Sequence, residues 1–367
     1  MSSNHEACNN ENEVSHTATG ATADRVDGMR APDADASRKI GIVVIGRNEG
    51  HRLSRSLASA LNASPLTIYV DSGSTDGSVI RARNLGVPVV ELCKSKNFSA
   101  ARARNEGASA LLRICPSLEF IQFVDGDCEL QPGWIANAAA LMFRSPAIGA
   151  VSGRRREVNG IASMYNRLCD WEWDVPLGST DFIGGDALVR VPAFLASGGY
   201  DERFIAGEEI DLSIRLRARG WVLWRQEQEM TLHDAKILKF SQWWQRQKRG
   251  GYAFGILASE HGARSGVCGI ASTLRCIAWG GVLPATVLFS AAFDPAALWV
   301  LLAYPINAAK IAIRHGGRSR SDWERGFLLS IGKVPEALGL IKFAVGRMLR
   351  LTPGLIEYKR QGYRAKA

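Results

Sequence analysis

Ile40-Gly-Ile-Val-Val-Ile45 is a short, uncharged, β-branched run, followed at once by Gly46-Arg-Asn-Glu-Gly50. A run of this kind with no polar alternation reads as a parallel strand buried on both faces. Leu66-Thr-Ile-Tyr-Val70, Val87-Pro-Val-Val-Glu-Leu92 and Phe120-Ile-Gln-Phe-Val124 read the same way. Between them, residues 51–62, 77–85, 99–113 and 132–143 have helical spacing. Strands alternating with helices predict βαβ units and a doubly wound α/β sheet. In such sheets ligands sit at the carboxyl ends of the strands. Those ends carry the Gly46–Gly50 turn, Asp71-Ser-Gly-Ser-Thr-Asp-Gly77 and Asp125-Gly-Asp127, so carboxylates and tight glycine turns gather on one edge.

Outside this run the chain divides by composition. It has 367 residues, 46% of them hydrophobic, enough for a large core. Residues 1–37 lack apolar periodicity and are rich in Ser, Asn, Ala, Asp and Glu. They read as a disordered, mildly acidic tail, with no basic and apolar stretch of the signal-peptide kind. Residues 38–262 form the expected catalytic domain, with a looser, Gly- and Trp-rich pattern from about 150 to 235. The net charge is +9, with a dense share of Lys and Arg after residue 310. A basic surface can meet nucleic acid, membrane phosphates or nucleoside diphosphates. No aromatic-plus-basic RNA motif or zinc-finger spacing occurs, so nucleic acid is not an expected partner. The seven cysteines are scattered without a CxxC, which fits a reducing compartment and no disulfide framework.

Residues 263–367 read as a helical, membrane-associated region. Cys276–Phe293 is uncharged, Ala296–Ile313 carries only Lys310, and Asp294-Pro295 turns between them. Eighteen apolar residues is about the lower limit for crossing a bilayer, and Pro284 and Pro305 are tolerable there. Arg275 precedes the first run, Arg314, Arg318 and Arg320 follow the second, and the turn has no Lys or Arg. By the positive-inside rule both outer ends stay cytoplasmic. A pair of buried core helices or a re-entrant hairpin is the alternative. Residues 323–349 mix apolar residues with Lys333, Lys342 and Arg347, as in a helix lying on a membrane or packing on the domain.

The chemistry starts at Asp125 and Asp127. Two carboxylates one residue apart past a buried strand can hold Mg²⁺ or Mn²⁺, which prefer oxygen ligands shared with substrate phosphates. Asp71 can accept from a base N–H or a ribose hydroxyl, or it closes an Asx turn, the expected role of Asp76. Arg102 or Arg104 suits phosphate, the other being solvated. In Gly207-Glu-Glu-Ile-Asp211 the acids either complement a helix N-terminus or supply a general base, from Glu208 or Glu209.

Taken in order and spacing across roughly residues 40–255, these motifs resemble family 2 of the inverting glycosyltransferases, with the GT-A fold. The resemblance implies that Asn48 and Glu49 line the nucleotide pocket, Asp71 contacts the base, and Arg104 sits near the ribose or diphosphate. It implies that Asp125 and Asp127 bind nucleotide and metal, with His233 as a further metal or phosphate ligand or an ordinary structural histidine. The family's acidic pair is Glu-Asp with the second residue as base; here that position is Glu209. Gln245-Arg-Gln-Lys-Arg249 is similar to the Gln-x-x-Arg-Trp motif of processive synthases, but Gly250 replaces the Trp, which favours single-sugar transfer. Trp243 and Trp244 are candidates for sugar stacking, membrane anchoring or core packing. Asp186, in a glycine-rich loop, is a candidate for acceptor or donor-sugar contact. The partners implied are a nucleotide-diphosphate sugar, a glycan or lipid-linked acceptor, and the inner membrane, with the catalytic domain cytoplasmic.

Other classes fit less well. No GxGxxG follows the first strand, no P-loop occurs, and the Asp-Gly-Asp lacks the threonine of an aspartyl phosphatase. The remaining alternatives are a nucleotidyltransferase of similar fold and a membrane-tethered sugar-nucleotide-binding protein without turnover.

Overall fold

The computed structural model describes residues 39–350, so the expected acidic tail lies outside the described residues. β1 (Ile40–Gly46), β2 (Thr67–Asp71), β3 (Val89–Glu91) and β4 (Phe120–Asp125) are parallel, in the spatial order β3-β2-β1-β4. Ile45 stands opposite Val70 on one side and Asp125 on the other, so the loops after β1, β2 and β4 open on one edge. Val43 and Ile45 enter one core while Ile42 and Val44 enter the other. Both faces are covered, which is why the run shows no polar alternation. Leu53 and Leu57 of α1 (His51–Ala63) cover one face, with α2 (Ser78–Asn84) connecting β2 to β3. Ala108 and Leu111 of α3 (Ala100–Ile114) cover the other. A Cβ at Gly107 would collide with Val43 and Val70, so this residue lets α3 lie directly on the sheet.

Beyond β4 the sheet is mixed. β5 (Cys128–Leu130), β6 (Ile148–Glu157), β7 (Gly178–Ser179), β8 (Ala187–Arg190) and β9 (Val222–His233) extend it as β4-β8-β6-β9-β5, with β7 against β9. β8 runs antiparallel to β4 and β6, whereas β6 and β9 are parallel, and β5 returns antiparallel to β9. The sequence pattern of 150–235 did not disclose these strands. β6 contains Arg154-Arg155-Arg156, β9 contains Arg225-Gln-Glu-Gln-Glu229, and their ladder shifts register at three points. Around the sheet pack α4 (Trp134–Arg144), α5 (Met164–Glu172), α6 (Val191–Ala196), α7 (Glu208–Ala218) and α8 (Phe240–His261). Trp243 is fully buried on α8 beside Leu168 and Cys169 of α5, and Trp244 packs on the same cluster. Of the roles open to Trp243, core packing is the one realised.

Two helices then follow the apolar runs: α9 (Ile270–Ala291), with a π-helical stretch at Cys276–Val282, and α10 (Pro295–Arg314), which begins as a 3-10 helix. Only 11% and 6% of their apolar stretches are buried, so they are not core helices of the domain. Length and composition suit a membrane. α11 (Arg320–Ile331) packs along α10, and Leu328 joins the α5–α8 cluster. α12 (Lys333–Met348) crosses α8 where Gly339 meets the Lys248 carbonyl and Gly251 meets the Glu336 carbonyl.

Candidate active site

The loops after β1 and β2 are tied to each other. Asn48 is left-handed at φ 58°, accepts from Thr75 N at 2.7 Å and donates its own N–H to Ser74 Oγ at 2.9 Å. Asp76 accepts from Gly50 N at 2.9 Å and from Ser78 N at 3.0 Å, as a turn-closing carboxylate does. Asp71 is buried; its carboxylate accepts from Gly73 N, Ser74 N and the Tyr69 hydroxyl at 2.8–2.9 Å. It therefore shapes the loop that any base would meet. Burial and the nearby Asp71 charge push the Tyr69 hydroxyl well above its ordinary range, so it remains a donor. Glu49 pairs with Arg52 at 2.7 Å, and Arg52 reaches the Asp234 carbonyl at 3.0 Å, joining the β1 and β9 ends. The Gly126 amide donates to the Ile45 carbonyl at 2.7 Å, and a Cβ there would stand 3.0 Å from the same oxygen. Glycine between the two aspartates thus lets the β4 loop lie against β1.

The central feature is a buried acid–arginine cluster. Asp125 accepts from Arg104 Nη2 at 2.8 Å and from Arg155 at 3.3–3.4 Å. Arg104 Nη1 donates to Glu208 at 2.9 Å, so one guanidinium joins the β4 end to the start of α7. Arg104 is fully buried and braces two carboxylates. Arg102 is also buried, not solvated, and donates to the Cys93 and Lys96 carbonyls at 3.0 and 3.2 Å. Asp186 is buried as well. It is buried under Asp125, accepts from the Asp125 amide and Thr231 Oγ1 at 2.9 Å, and lies 3.3 Å from Arg155. Burial pushes its carboxyl upward, and it supports Asp125 through the hydrogen bond to the Asp125 amide. Arg155 in turn stacks over Trp173 at 4.4 Å.

The β5–β9 pairing sets Cys128 opposite His233 and so brings His233 to Asp127. His233 Nε2 lies 3.4 Å from Asp127 Oδ2, and Nδ1 lies 2.9 Å from Glu157 Oε2. Glu157 also accepts from Ala235 N at 3.2 Å. Glu157 thereby fixes the imidazole ring with Nε2 turned toward Asp127. A carboxylate and an imidazole nitrogen facing each other at that distance can hold a cation between them. Asp127, Cys128 and His233 place one ligand atom each within 4.8 Å of one another. Burial holds the Cys128 thiol well above its ordinary range, and the oxygen and nitrogen donors of the group are the Asp127 carboxylate and the His233 imidazole. That set fits a divalent cation.

Glu208 and Glu209 open α7 after Gly207, whose φ is 79°. They differ sharply. Glu208 is held by Arg104, whereas neither carboxylate oxygen of Glu209 finds a partner beyond its own backbone N–H. Burial first, and the Glu208 charge second, push Glu209 to about 8. Asp211 is committed to Arg215 and to His261 Nε2 at 2.8 Å. Gln245 is exposed and Arg249 half-buried; no hydrogen bond or ion pair links either to this cluster among the described residues. The buried basic residue of that segment is Arg246, 2.6 Å from Glu172. Arg155 and Glu157 were missed by the sequence reading. The signal was their spacing of two on one strand, which puts both on the same face.

Residues 41–190 match Glycosyl transferase family 2. Over 275 residues the chain is 24% identical to the pre-mycofactocin glycosyltransferase of Mycobacterium tuberculosis, covering 71% of this chain and 54% of that protein. Over 139 residues it is 26% identical to glucomannan 4-beta-mannosyltransferase 1 of Cyamopsis tetragonoloba, covering 35% and 26%. The chain thus spans about half the length, or less, of the curated relatives it matches. Among solved structures, the mannosyltransferase PcManGT of Pyrobaculum calidifontis, in complex with GDP-Man and Mn²⁺, superposes with a TM-score of 0.58 at 17% identity, covering 83% of this chain and 87% of that one.

Proposed function

The chain carries a family 2 glycosyltransferase domain with the GT-A fold, and we propose that it moves a sugar from a nucleotide-diphosphate sugar to an acceptor hydroxyl with inversion. The observation that carries this reading is Glu209. A buried carboxyl without a partner, raised to about 8 and one residue from an arginine-locked neighbour, is poised to take a proton near neutral pH. Glu208 is then the brace and Glu209 the base. Glu209 accepts the acceptor hydroxyl proton while the oxygen attacks the anomeric carbon from the face opposite the diphosphate. Asp127 and His233, with Asp125, would hold Mg²⁺ or Mn²⁺, and Glu157 fixes the His233 ring. When bound, the ion would neutralise charge on the diphosphate leaving group. Asn48, Glu49 and Asp71 hold the strand-end loops in shape for the nucleotide. Arg104 positions Asp125 and Glu208.

In this reading residues 38–262 are the catalytic domain and 263–367 its membrane-associated extension. The acceptor is a lipid-linked glycan or polysaccharide precursor at the inner membrane, met from the cytoplasmic side. The two poorly buried apolar helices and the arginines at their outer ends support that placement. The test is a panel of nucleotide sugars with detergent-purified protein, in Mn²⁺ or EDTA, reading nucleoside diphosphate release. Metal-dependent release from one donor is expected. Silence across the panel, with no metal-dependent donor binding, would overturn the reading, and release of pyrophosphate instead would indicate nucleotidyl transfer.

A further inference from the structure

At 22 and 20 residues, α9 and α10 have the length to cross a bilayer. Their lower turns, however, are covered by charged neighbours. A Cβ at Gly280 of α9 would collide with the Lys333 carbonyl of α12. One turn below, Cys276 donates to Glu336 at 3.2 Å, and Glu336 also holds Lys333 at 2.8 Å. A Cβ at Gly326 of α11 would collide with the Ala308 carbonyl of α10, and Asn307 donates to Ser330 at 2.9 Å. Since α12 is itself seated on α8 of the catalytic domain, these contacts set a polar floor that the hairpin cannot leave. The floor lies near residues 276–280 on one arm and 307–310 on the other, and it carries Lys333, Glu336 and Lys310.

Above the floor the arms are apolar and bare. Val282, Leu288, Phe289, Phe293, Trp299 and Ile306 are between 56% and 78% exposed. These arms are also short. Gly281 to Phe293 spans about 18 Å at about 1.5 Å per residue. Pro295 to Ile306 spans about 20 Å, with its 3-10 turns rising about 2.0 Å per residue and its α-helical turn about 1.5 Å. The hydrocarbon core is about 30 Å thick.

We infer that the α9–α10 hairpin is re-entrant: it enters a lipid bilayer from the side of the catalytic domain, and its tip at Phe293–Asp294 ends inside the bilayer. The inference rests on the membrane placement proposed above and adds its depth. Crossing would draw three charged side chains, Lys333, Glu336 and Lys310, below the headgroups. Stopping short submerges one, Asp294, whose carboxylate already accepts from Ala296 N at 2.9 Å. The same depth lays the exposed face of α12, with Leu338, Ile341, Val345 and Met348, in the interfacial plane.

The experiment introduces a thiol at the tip of the full chain, by Phe293→Cys and separately Trp299→Cys, both at exposed positions that leave no cavity. A membrane-impermeant maleimide is applied to sealed spheroplasts, to inverted membrane vesicles and to detergent-solubilised protein, and labels are counted by mass. Exposed Cys93 marks the face of the catalytic domain. The expected result is no extra label from either face and one extra label in detergent. An extra label in spheroplasts would mean a spanning hairpin and overturn the inference. An extra label in inverted vesicles would place the tip in water on the catalytic side and overturn insertion itself; release of the protein by an alkaline wash would then overturn the membrane placement as well. None of these outcomes depends on donor turnover, which the diphosphate-release assay reads separately.

Discussion

Glu209→Gln should make the protein more stable and nearly inactive at once. Wild-type Glu209 keeps its proton to about 8 against an ordinary value of 4.5, because burial and Glu208 disfavour its charge more than Arg104 favours it. Between those two values the folded chain binds more protons than the unfolded one, so stability contributed by the neutral carboxyl is lost as pH rises through about 8. At about 1.36 kcal/mol per pH unit, the gap sets a ceiling of roughly 5 kcal/mol at alkaline pH. Local relaxation and entering water reduce this, and about 2 kcal/mol is a fair expectation. Glutamine keeps the shape and removes the titration. The variant should therefore unfold about 5 °C above wild type at pH 9, at roughly 2–4 °C per kcal/mol for a domain of this size, and within about a degree of it at pH 5. Turnover should fall by ~10²-fold or more, and the wild-type rise of kcat/KM toward pH 8 should vanish from the residual rate. The assays are thermal unfolding in detergent at both pH values and diphosphate release across the same range. A variant less stable than wild type at pH 9 would show that the carboxylate does structural work. Unchanged turnover would remove Glu209 as the base.

Three further outcomes follow from the cluster. Asp127→Asn should weaken Mn²⁺-dependent donor binding by calorimetry; wild type that binds donor equally with chelator present would refute a metal role for Asp127. Glu157→Gln should lower Mn²⁺ affinity about 10–100-fold, since an amide can donate to Nδ1 and turn the His233 proton onto Nε2. Mn²⁺ affinity unchanged by electron paramagnetic resonance titration would reduce Glu157 to a support for the Ala235 loop. Arg104→Met should cost about 3–5 kcal/mol by stranding Asp125 and Glu208 in the interior, seen as a drop in the unfolding midpoint. Arg104→Lys should not rescue it, because a single ammonium replaces a fork that reaches both carboxylates. Full rescue by Lys would show that the two-sided bridge is dispensable.

How much of this could be read from sequence depended on whether burial was uniform or paired. The first four strands and the crossover helices were legible because β1 to β4 are apolar on both faces: Ile42, Val43, Val44 and Ile45 all enter a core. The strand-end motifs were placed by the same logic. β6 and β9 were not legible, because their inward residues are charges satisfied by distant partners. Arg155 meets Asp125 and Asp186, thirty or so residues away, and Glu157 meets His233. Beyond the spacing of two between Arg155 and Glu157, no apolar pattern announces such a strand, since the residues that neutralise it lie on other elements. The same reason hid the buried pairings of Arg104 and Asp186, whose partners lie on distant elements. For Gln245 and Arg249, helical spacing alone decides: the residue of α8 that turns inward is Arg246.

On the function proposed above, the cluster also accounts for a Glu208-Glu209 pair standing in place of Glu-Asp. Two buried guanidiniums, Arg104 and Arg155, stand among Asp125, Asp186, Glu208 and Glu209. The hydrogen-bonding arms of Arg104 are taken by Asp125 and Glu208, and those of Arg155 by Asp125 and Asp186. Each of these three acids thereby has a guanidinium partner in a site where a lone charge would be costly. Glu209 is the acid left over, and it carries the cost as a raised proton affinity. A general base needs an affinity of that kind, and it arises here from the pairing of its neighbours, not from the length of its own side chain. Shortening it by one methylene, Glu209→Asp, should therefore keep the pH dependence and move only the reach of the carboxylate. Activity should fall less than in Glu209→Gln, with the rise of kcat/KM still toward pH 8. A rise displaced to the ordinary carboxylate range near 4 would show that the side chain, and not its surroundings, sets the proton affinity.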